Sequence, residues 1–89
     1  MISSGKVTVT APEGLHARPA ADFVRAVGLS AHQVKITNQE GRSADGSSIL
    51  AVLSLGVKQG QSLEIEVSGD DSAKVLSALI AVVSRAKQG

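Results

Sequence analysis

The period at which apolar residues recur changes along this chain, and that change limits the folds open to it. In segments 6–10, 34–37 and 63–67 every second residue is apolar, which indicates strands with one buried face. Two other segments carry apolar residues at helical spacing: Ala20, Phe23, Val24 and Val27, then Val75, Leu76, Leu79, Ile80 and Val83. Half-buried strands combined with amphipathic helices predict a two-layer α+β fold with helices on one face of the sheet.

Turn-forming and helix-capping residues separate these segments. Pro19 suits the first turn of a helix, and Gly28 is the predicted end of that helix. Segment 38–41 predicts a turn, because the glycine at its end adopts positive φ without a steric cost. Segment 69–72 supplies candidate N-cap residues for the last helix.

Two shorter elements complete the predicted order. Segment 42–44 is a candidate for a short third strand, and segment 49–55 is a short apolar helix that ends at Gly56. The predicted order is therefore strand, helix, strand, strand, helix, strand, helix. With 89 residues and no linker or repeat, we interpret residues 1–89 as a single domain.

The composition excludes several classes of function. Phe23 is the only aromatic residue and the net charge is +1, so neither a base-stacking surface nor a basic patch for nucleic acid is expected. The absence of cysteine excludes disulfides and thiolate metal sites, and His32 is expected to be a solvated loop residue rather than a metal ligand. No segment resembles a signal peptide or a membrane span. We expect a cytoplasmic monomer without a cofactor.

Segment 14–20 carries the chemistry, with the sequence Gly-Leu-His-Ala-Arg-Pro-Ala at a strand-to-helix junction. The free N–H groups and the dipole of a helix N-terminus form an anion site. In such a site the imidazole of His16 is a candidate nucleophile, and Arg18 can donate a charge-assisted hydrogen bond to a phosphate. The residues alone leave another interpretation open, in which His16 is a capping residue and Arg18 is a solvated surface side chain.

This segment resembles the active-site motif of HPr, the histidine-containing phosphocarrier family of the bacterial sugar phosphotransferase system. The resemblance extends over segments 6–12, 19–24, 48–56 and 63–67 and so covers nearly the whole chain. It implies an open-faced two-layer sandwich of order βαββαβα. In this fold a four-stranded antiparallel sheet is covered on one face by three helices.

The resemblance also implies a function. In this family Enzyme I takes a phosphoryl group from phosphoenolpyruvate and passes it to the Nδ1 atom of the histidine that corresponds to His16. The IIA domain of a sugar permease then removes it. Ala17 and Arg18 would bind the phosphate, and the protein would be a stoichiometric carrier rather than an enzyme.

A second site follows from the same resemblance. Ser48 stands where a dedicated HPr kinase/phosphorylase modifies some family members, although a serine at this position also suits a plain N-cap. The partner surface would surround His16 and include the short helix. Its expected members are Leu15, Ala20, Ile49, Ala51 and Val52.

Three alternatives remain open at this point. A ligand-binding domain on a ferredoxin-like sheet has a similar order of elements and needs no reactive histidine. A family member specialised for nitrogen regulation or gene control would keep His16 but meet other partners. A true enzyme is the weakest alternative, because the sequence offers no paired carboxylates and no nucleophile–base pair.

Overall fold

The computed structural model describes residues 1–85, and within them the helices and strands follow the predicted order. The elements are β1 (Ile2–Thr8), α1 (Ala17–Ser30), β2 (Gln33–Thr37), β3 (Ser43–Asp45), α2 (Ile49–Ser54), β4 (Ser62–Ser68) and α3 (Ser72–Arg85). Within this range no helix is both long and apolar enough to cross a membrane.

The four strands form one antiparallel sheet in the order β1-β4-β2-β3. Alternate residues of β4, namely Leu63, Ile65 and Val67, are buried, whereas Glu64 between them is exposed. One face of the sheet therefore carries the helices, and the predicted open-faced sandwich is confirmed.

The core lies between the sheet and the helices and is almost entirely aliphatic. Phe23 of α1, Ile36 of β2 and Leu79 of α3 are all at most 1% exposed and belong to one hydrophobic cluster. Burial of a side chain of this size contributes about 1.5–3 kcal/mol relative to exposure. These contacts hold α1 and α3 against the sheet.

The predicted end of α1 at Gly28 is wrong. The helix continues to Ser30, and Ala31 follows in the left-handed conformation with φ 58°. Gly28 has no neighbouring atom within 4 Å of the position of a Cβ, and it lies exposed on the helix surface. One glycine weakens a helix by only about 1 kcal/mol, which the burial of Phe23 and Val27 on the same helix offsets.

The predicted capping role of segment 69–72 is wrong for Ser72. Ser72 lies inside α3, is fully buried, and its hydroxyl shares a 2.8 Å hydrogen bond with the hydroxyl of Ser3 in β1. The carbonyl of Asp71 instead accepts hydrogen bonds from the amides of Lys74 and Val75.

Strand β1 begins earlier than the alternating segment 6–10 predicts. It starts at Ile2, because Ile2 pairs with Ser68 of the neighbouring strand β4.

The expectation that His32 is a solvated loop residue is confirmed for the loop but not for a ring free in solvent. His32 does lie between α1 and β2, but the imidazole is only partly exposed. Its two ring nitrogens lie 2.7 Å from the carbonyl oxygen of Ser30 and 2.6 Å from that of Asp70. The second partner is distant in the sequence, so local pattern gave no sign of it.

Candidate functional site

The loop between β1 and α1 is held in place by a second loop. The amide of Val9 donates to the carbonyl of Gln61 over 2.9 Å, and the amide of Gly60 donates back to the carbonyl of Val9 over 2.8 Å. Further along, the amide of Leu15 donates to the carbonyl of Val57 over 2.9 Å. Although the loop has no regular structure, these backbone bonds fix the chain immediately before His16.

Gly14 allows the close approach of the two loops. Its φ is +77°, and a Cβ at this position would lie 2.8 Å from the Cα of Lys58 and closer still to the carbonyl oxygen of Val57. Backbone atoms cannot move aside as a flexible side chain can, so glycine is required here. The glycine of the motif thus serves the geometry that presents His16.

His16 occupies the N-cap position of α1 with an extended backbone, φ −148° and ψ 164°. Its side chain is exposed and makes no capping hydrogen bond, so the interpretation of the ring as a helix cap is wrong. The backbone carbonyl of His16 accepts the 3.5 Å hydrogen bond from the amide of Ala20. The His16 imidazole therefore lies at the helix N-terminus without capping it, and the backbone carbonyl of His16 accepts the first hydrogen bond of the helix.

The first residue of α1 has a strained backbone. Ala17 has φ 51°, and the left-handed conformation costs a residue with a Cβ about 1–2 kcal/mol. The bonded loop before it and buried Pro19 after it hold this conformation. The Ala17 and Arg18 side chains are exposed. His16, Ala17 and Arg18 thus meet at one helix N-terminus, where free N–H groups favour an anion.

Ser48 begins α2 as its N-cap. The hydroxyl oxygen of Ser48 accepts a 3.3 Å hydrogen bond from the amide of Ala51, which confirms the capping interpretation. Such a cap stabilises a helix by about 1 kcal/mol. The neighbouring Ser47 hydroxyl is exposed and donates to the carboxylate of Asp45 over 2.7 Å, and the Ser47 amide donates to the same carboxylate. These two hydrogen bonds lower the pKa of Asp45.

Burial changes the set of residues that a partner can touch. Leu15, Ala20 and Val52 are at most 3% exposed, so their side chains support the core instead of forming a contact surface as expected. Ile49 is 38% exposed, and Leu50, which the sequence analysis did not select, is 78% exposed. The short α2 presents these side chains to water because only one of its faces packs on α1.

Asn38 has a structural role that its neighbours in the sequence do not reveal. This residue is buried, and its amide nitrogen donates to the carbonyl of Leu55 at the end of α2 over 3.0 Å. Its amide oxygen accepts from the backbone N–H groups of Glu40 and Arg42 over 3.1 and 2.9 Å. The turn between β2 and β3 is thereby joined to α2. The only local indication of this role in the sequence is that Asn38 begins a turn that contains glycine.

The described residues contain no group of three His, Cys, Asp or Glu side chains able to hold a metal ion. At the N-terminus of α1, the side chains of His16, Ala17 and Arg18 are all exposed.

Comparison with known proteins identifies the family. The family model described as "PTS HPr component phosphorylation site" matches residues 3–85. The chain belongs to the HPr family. Among curated relatives, Phosphocarrier protein HPr of Buchnera aphidicola is 32% identical over 79 residues, covering 89% of this chain and 92% of that protein. Phosphocarrier protein NPr of Proteus mirabilis is 38% identical over 69 residues, covering 78% and 77%.

A solved structure supports the same assignment. The phosphocarrier protein HPr from Bacillus anthracis superposes with a TM-score of 0.86 at 32% sequence identity, covering 92% of this chain and 96% of that chain. The resemblance stated from the motif is therefore confirmed for the family and for the fold. The protein is a member of the HPr and NPr phosphocarriers of the phosphotransferase system.

Proposed function

We propose that His16 accepts a phosphoryl group from phosphorylated Enzyme I and donates it to the IIA domain of a sugar permease. The observation that carries this proposal is the exposed imidazole at the N-terminus of α1, which no capping hydrogen bond engages. A carrier histidine has to reach into two different partners in turn, and only an exposed ring can do so.

The transfer balances as a simple exchange of bonds. The lone pair of the neutral Nδ1 of His16 forms the new bond to phosphorus, while the bond between phosphorus and Enzyme I breaks and its electron pair stays with Enzyme I. The second transfer repeats these steps, with His16 as the leaving group and a nucleophile of the IIA domain as the acceptor. No oxidant, metal or cofactor of this protein takes part, and the protein acts as a stoichiometric carrier.

The helix N-terminus and Arg18 supply the electrostatic support. Backbone N–H groups of the first turn, including those of Ala17 and Arg18, favour the dianionic phosphoryl group. The Arg18 guanidinium adds a charge-assisted hydrogen bond, which contributes roughly 1.5–3 kcal/mol when it is shielded from water. Because Arg18 is exposed in the free protein, we expect this contribution to reach that size only when a partner covers the site.

The partner surface we propose consists of Ala17, Ala21, Ile49, Leu50 and Ala51. Ala17 and Ala21 are exposed on α1, and Ile49 and Leu50 are exposed on the adjacent α2. A patch of this size, with two large apolar side chains beside alanines, suits a transient contact that buries less than about 1,200 Å². A monomer that visits two cytoplasmic partners in succession is the form of the protein that this proposal requires.

Ser48 is a proposed regulatory site for an HPr kinase/phosphorylase. A phosphate on Ser48 would add roughly 1.5 to 2 negative charges at the start of α2, where helix N–H groups stabilise it. The same charge would lie directly beside Ile49 in the proposed partner surface. Modification would therefore leave α2 intact and weaken association at this apolar surface, because a charged phosphate beside Ile49 resists burial against a partner.

Phosphoryl transfer tests the proposal. The protein is incubated with Enzyme I, Mg²⁺ and labelled phosphoenolpyruvate, beside His16→Ala and a matched Ser47→Ala control that lies outside the site. We expect acid-labile, base-stable label on the wild type and the control but not on His16→Ala. An unlabelled wild type, with the same Enzyme I active on another acceptor, would contradict the proposal.

A second candidate is a carrier for nitrogen regulation or gene control. It has support because the relatives of this chain include proteins named HPr and proteins named NPr at similar identity. Both candidates use His16, so only the partners separate them. Two labelling rates decide between the candidates. One is measured with Enzyme I from the sugar branch and the other with the corresponding enzyme from the regulatory branch.

A further inference from the structure

His32 makes two hydrogen bonds that a neutral imidazole cannot make together. Its Nδ1 lies 2.7 Å from the carbonyl oxygen of Ser30, and its Nε2 lies 2.6 Å from the carbonyl oxygen of Asp70. Carbonyl oxygens only accept, and a neutral histidine has an N–H on one ring nitrogen alone. Both bonds exist at once only when the ring is an imidazolium that donates from each nitrogen.

The space for the ring is created by a glycine. Gly69 has φ +127°, and a Cβ on it would lie 2.9 Å from the Cδ2 of His32. The amide of Gly69 donates to the carbonyl of Met1 over 2.8 Å, which fixes the turn against the start of β1. The ring therefore occupies a defined position between two ordered segments.

The electrostatic surroundings favour a cation at this position. Ser30 is the last residue of α1, where the helix dipole and the free carbonyls are negative. The turn on the other side contributes the carboxylates of Asp70 and Asp71. The hydrogen bond to Asp70 raises the pKa of His32 most, followed by the bond to Ser30, whereas partial burial opposes the rise.

We propose that His32, as an imidazolium, is a pH-sensitive clamp that joins the C-terminal end of α1 to the turn preceding α3. Loss of the proton removes one of the two donors and leaves a ring lone pair facing a carbonyl oxygen. The clamp then holds only one of its two segments. This role is separate from phosphoryl transfer at His16, which lies at the opposite end of α1.

The sign of the pH dependence follows from the raised pKa of His32. The stabilisation is fully present below the pKa of unfolded histidine, about 6.5, and is lost as the pH rises through the higher pKa of the folded state. Because the ring is partly exposed, solvent screens part of this effect.

Other charged groups face the same region. The side chains on the turn and along the open face of the sheet beside His32 are Asp70, Asp71, Lys35, Asp45 and Glu66. The test therefore has to resolve His32 itself.

The first measurement is an NMR titration of ¹⁵N-labelled histidine in His16→Gln, which leaves His32 as the single histidine of the chain. We expect both ring nitrogens to be protonated at pH 6 and the midpoint to lie above that of the same protein unfolded in urea. A neutral single tautomer at pH 6, or a midpoint at or below the unfolded value, would overturn the proposal.

The second measurement follows the urea midpoint of unfolding from pH 5.5 to 8.5 for the wild type, His32→Gln and the matched His16→Gln. We expect the advantage of the wild type over His32→Gln to shrink as the pH rises, whereas His16→Gln follows the wild type. Equal pH slopes in the wild type and His32→Gln would overturn the clamp, since the pH dependence would then belong to groups other than His32. Phosphoryl acceptance at His16 does not enter either measurement.

Discussion

The side-chain amide of Asn38 donates a 3.0 Å hydrogen bond to the carbonyl of Leu55, and through it the β2–β3 turn supports the C-terminal end of α2. Both residues are buried. The side-chain oxygen of Asn38 accepts hydrogen bonds from the backbone N–H groups of Glu40 and Arg42, and these two bonds close the turn. The position of the proposed partner helix therefore depends on a residue in a distant turn. A buried amide with every group bonded is costly to remove, since each orphaned group loses its partner and also its water.

Replacing Asn38 with alanine is expected to lower the free energy of unfolding by about 2–4 kcal/mol, because it strands the Leu55 carbonyl and two turn amides. Urea unfolding measures this change. Asn38→Asp is the matched variant: it keeps the acceptor for Glu40 and Arg42 but loses the donor to Leu55, so it should separate the turn from the helix contact. A cost below about 0.5 kcal/mol for Asn38→Ala, the range of ordinary surface changes, would contradict this view.

Gly14→Ala is expected to destabilise the protein by more than about 1 kcal/mol and to slow phosphoryl acceptance, because the added Cβ would meet the backbone of Val57 and Lys58. The loop has to shift, and His16 moves with it. Labelling rate and urea unfolding are measured together.

Gly28→Ala is the matched control for that change. Gly28 lies within α1, with open space around it and no positive φ, so alanine should raise the free energy of unfolding by about 0.5–1 kcal/mol and leave labelling unchanged. The same glycine-to-alanine substitution is thus expected to lower the free energy of unfolding at Gly14 and to raise it at Gly28. Destabilisation at both positions would show that the loop contact is not the cause.

Strain at Ala17 makes a further prediction possible. Glycine adopts φ 51° without the Cβ penalty, so Ala17→Gly should be less destabilising than Ala21→Gly, an exposed position further along α1, by about 1–2 kcal/mol. Ala21→Gly itself should cost about 1 kcal/mol. Thermal unfolding of the two variants measures the difference, and equal losses would argue against a strained backbone beside His16.

Ser48→Ala should lower the free energy of unfolding by about 1 kcal/mol through loss of the α2 cap. Ser48→Asp keeps an acceptor for the amide of Ala51 and adds a negative charge, so it should preserve stability yet slow phosphoryl transfer from Enzyme I. Stability and labelling rate are measured on both variants. A slow rate in Ser48→Ala equal to that in Ser48→Asp would assign the effect to the helix rather than to the charge.

The order of helices and strands was predicted from local pattern, and each element has a local reason. Alternation over 63–67 reflects the period of a strand, and the spacing of Phe23 and Val27 reflects that of a helix. The residues around His16 indicated only a possible anion site at a helix start, and the resemblance to a family assigned the motif. The antiparallel sheet covered by three helices was implied by resemblance to a family, whereas the strand order β1-β4-β2-β3 came from the structure alone.

What only the tertiary structure decided depends on residues far apart in the chain. His32 binds the carbonyl of Asp70, and Asn38 binds that of Leu55, so neither role is visible in the residues nearby. Leu15 and Val52 were expected on a partner surface, but both are buried. Their apolar character alone is compatible with either a contact surface or a core. The sequence by itself determined local conformation through short-range sterics and periodicity, and it carried the motif that the family resemblance identified. Burial and long-range hydrogen bonding were decided only when the chain packed, because both depend on which distant atoms exclude water.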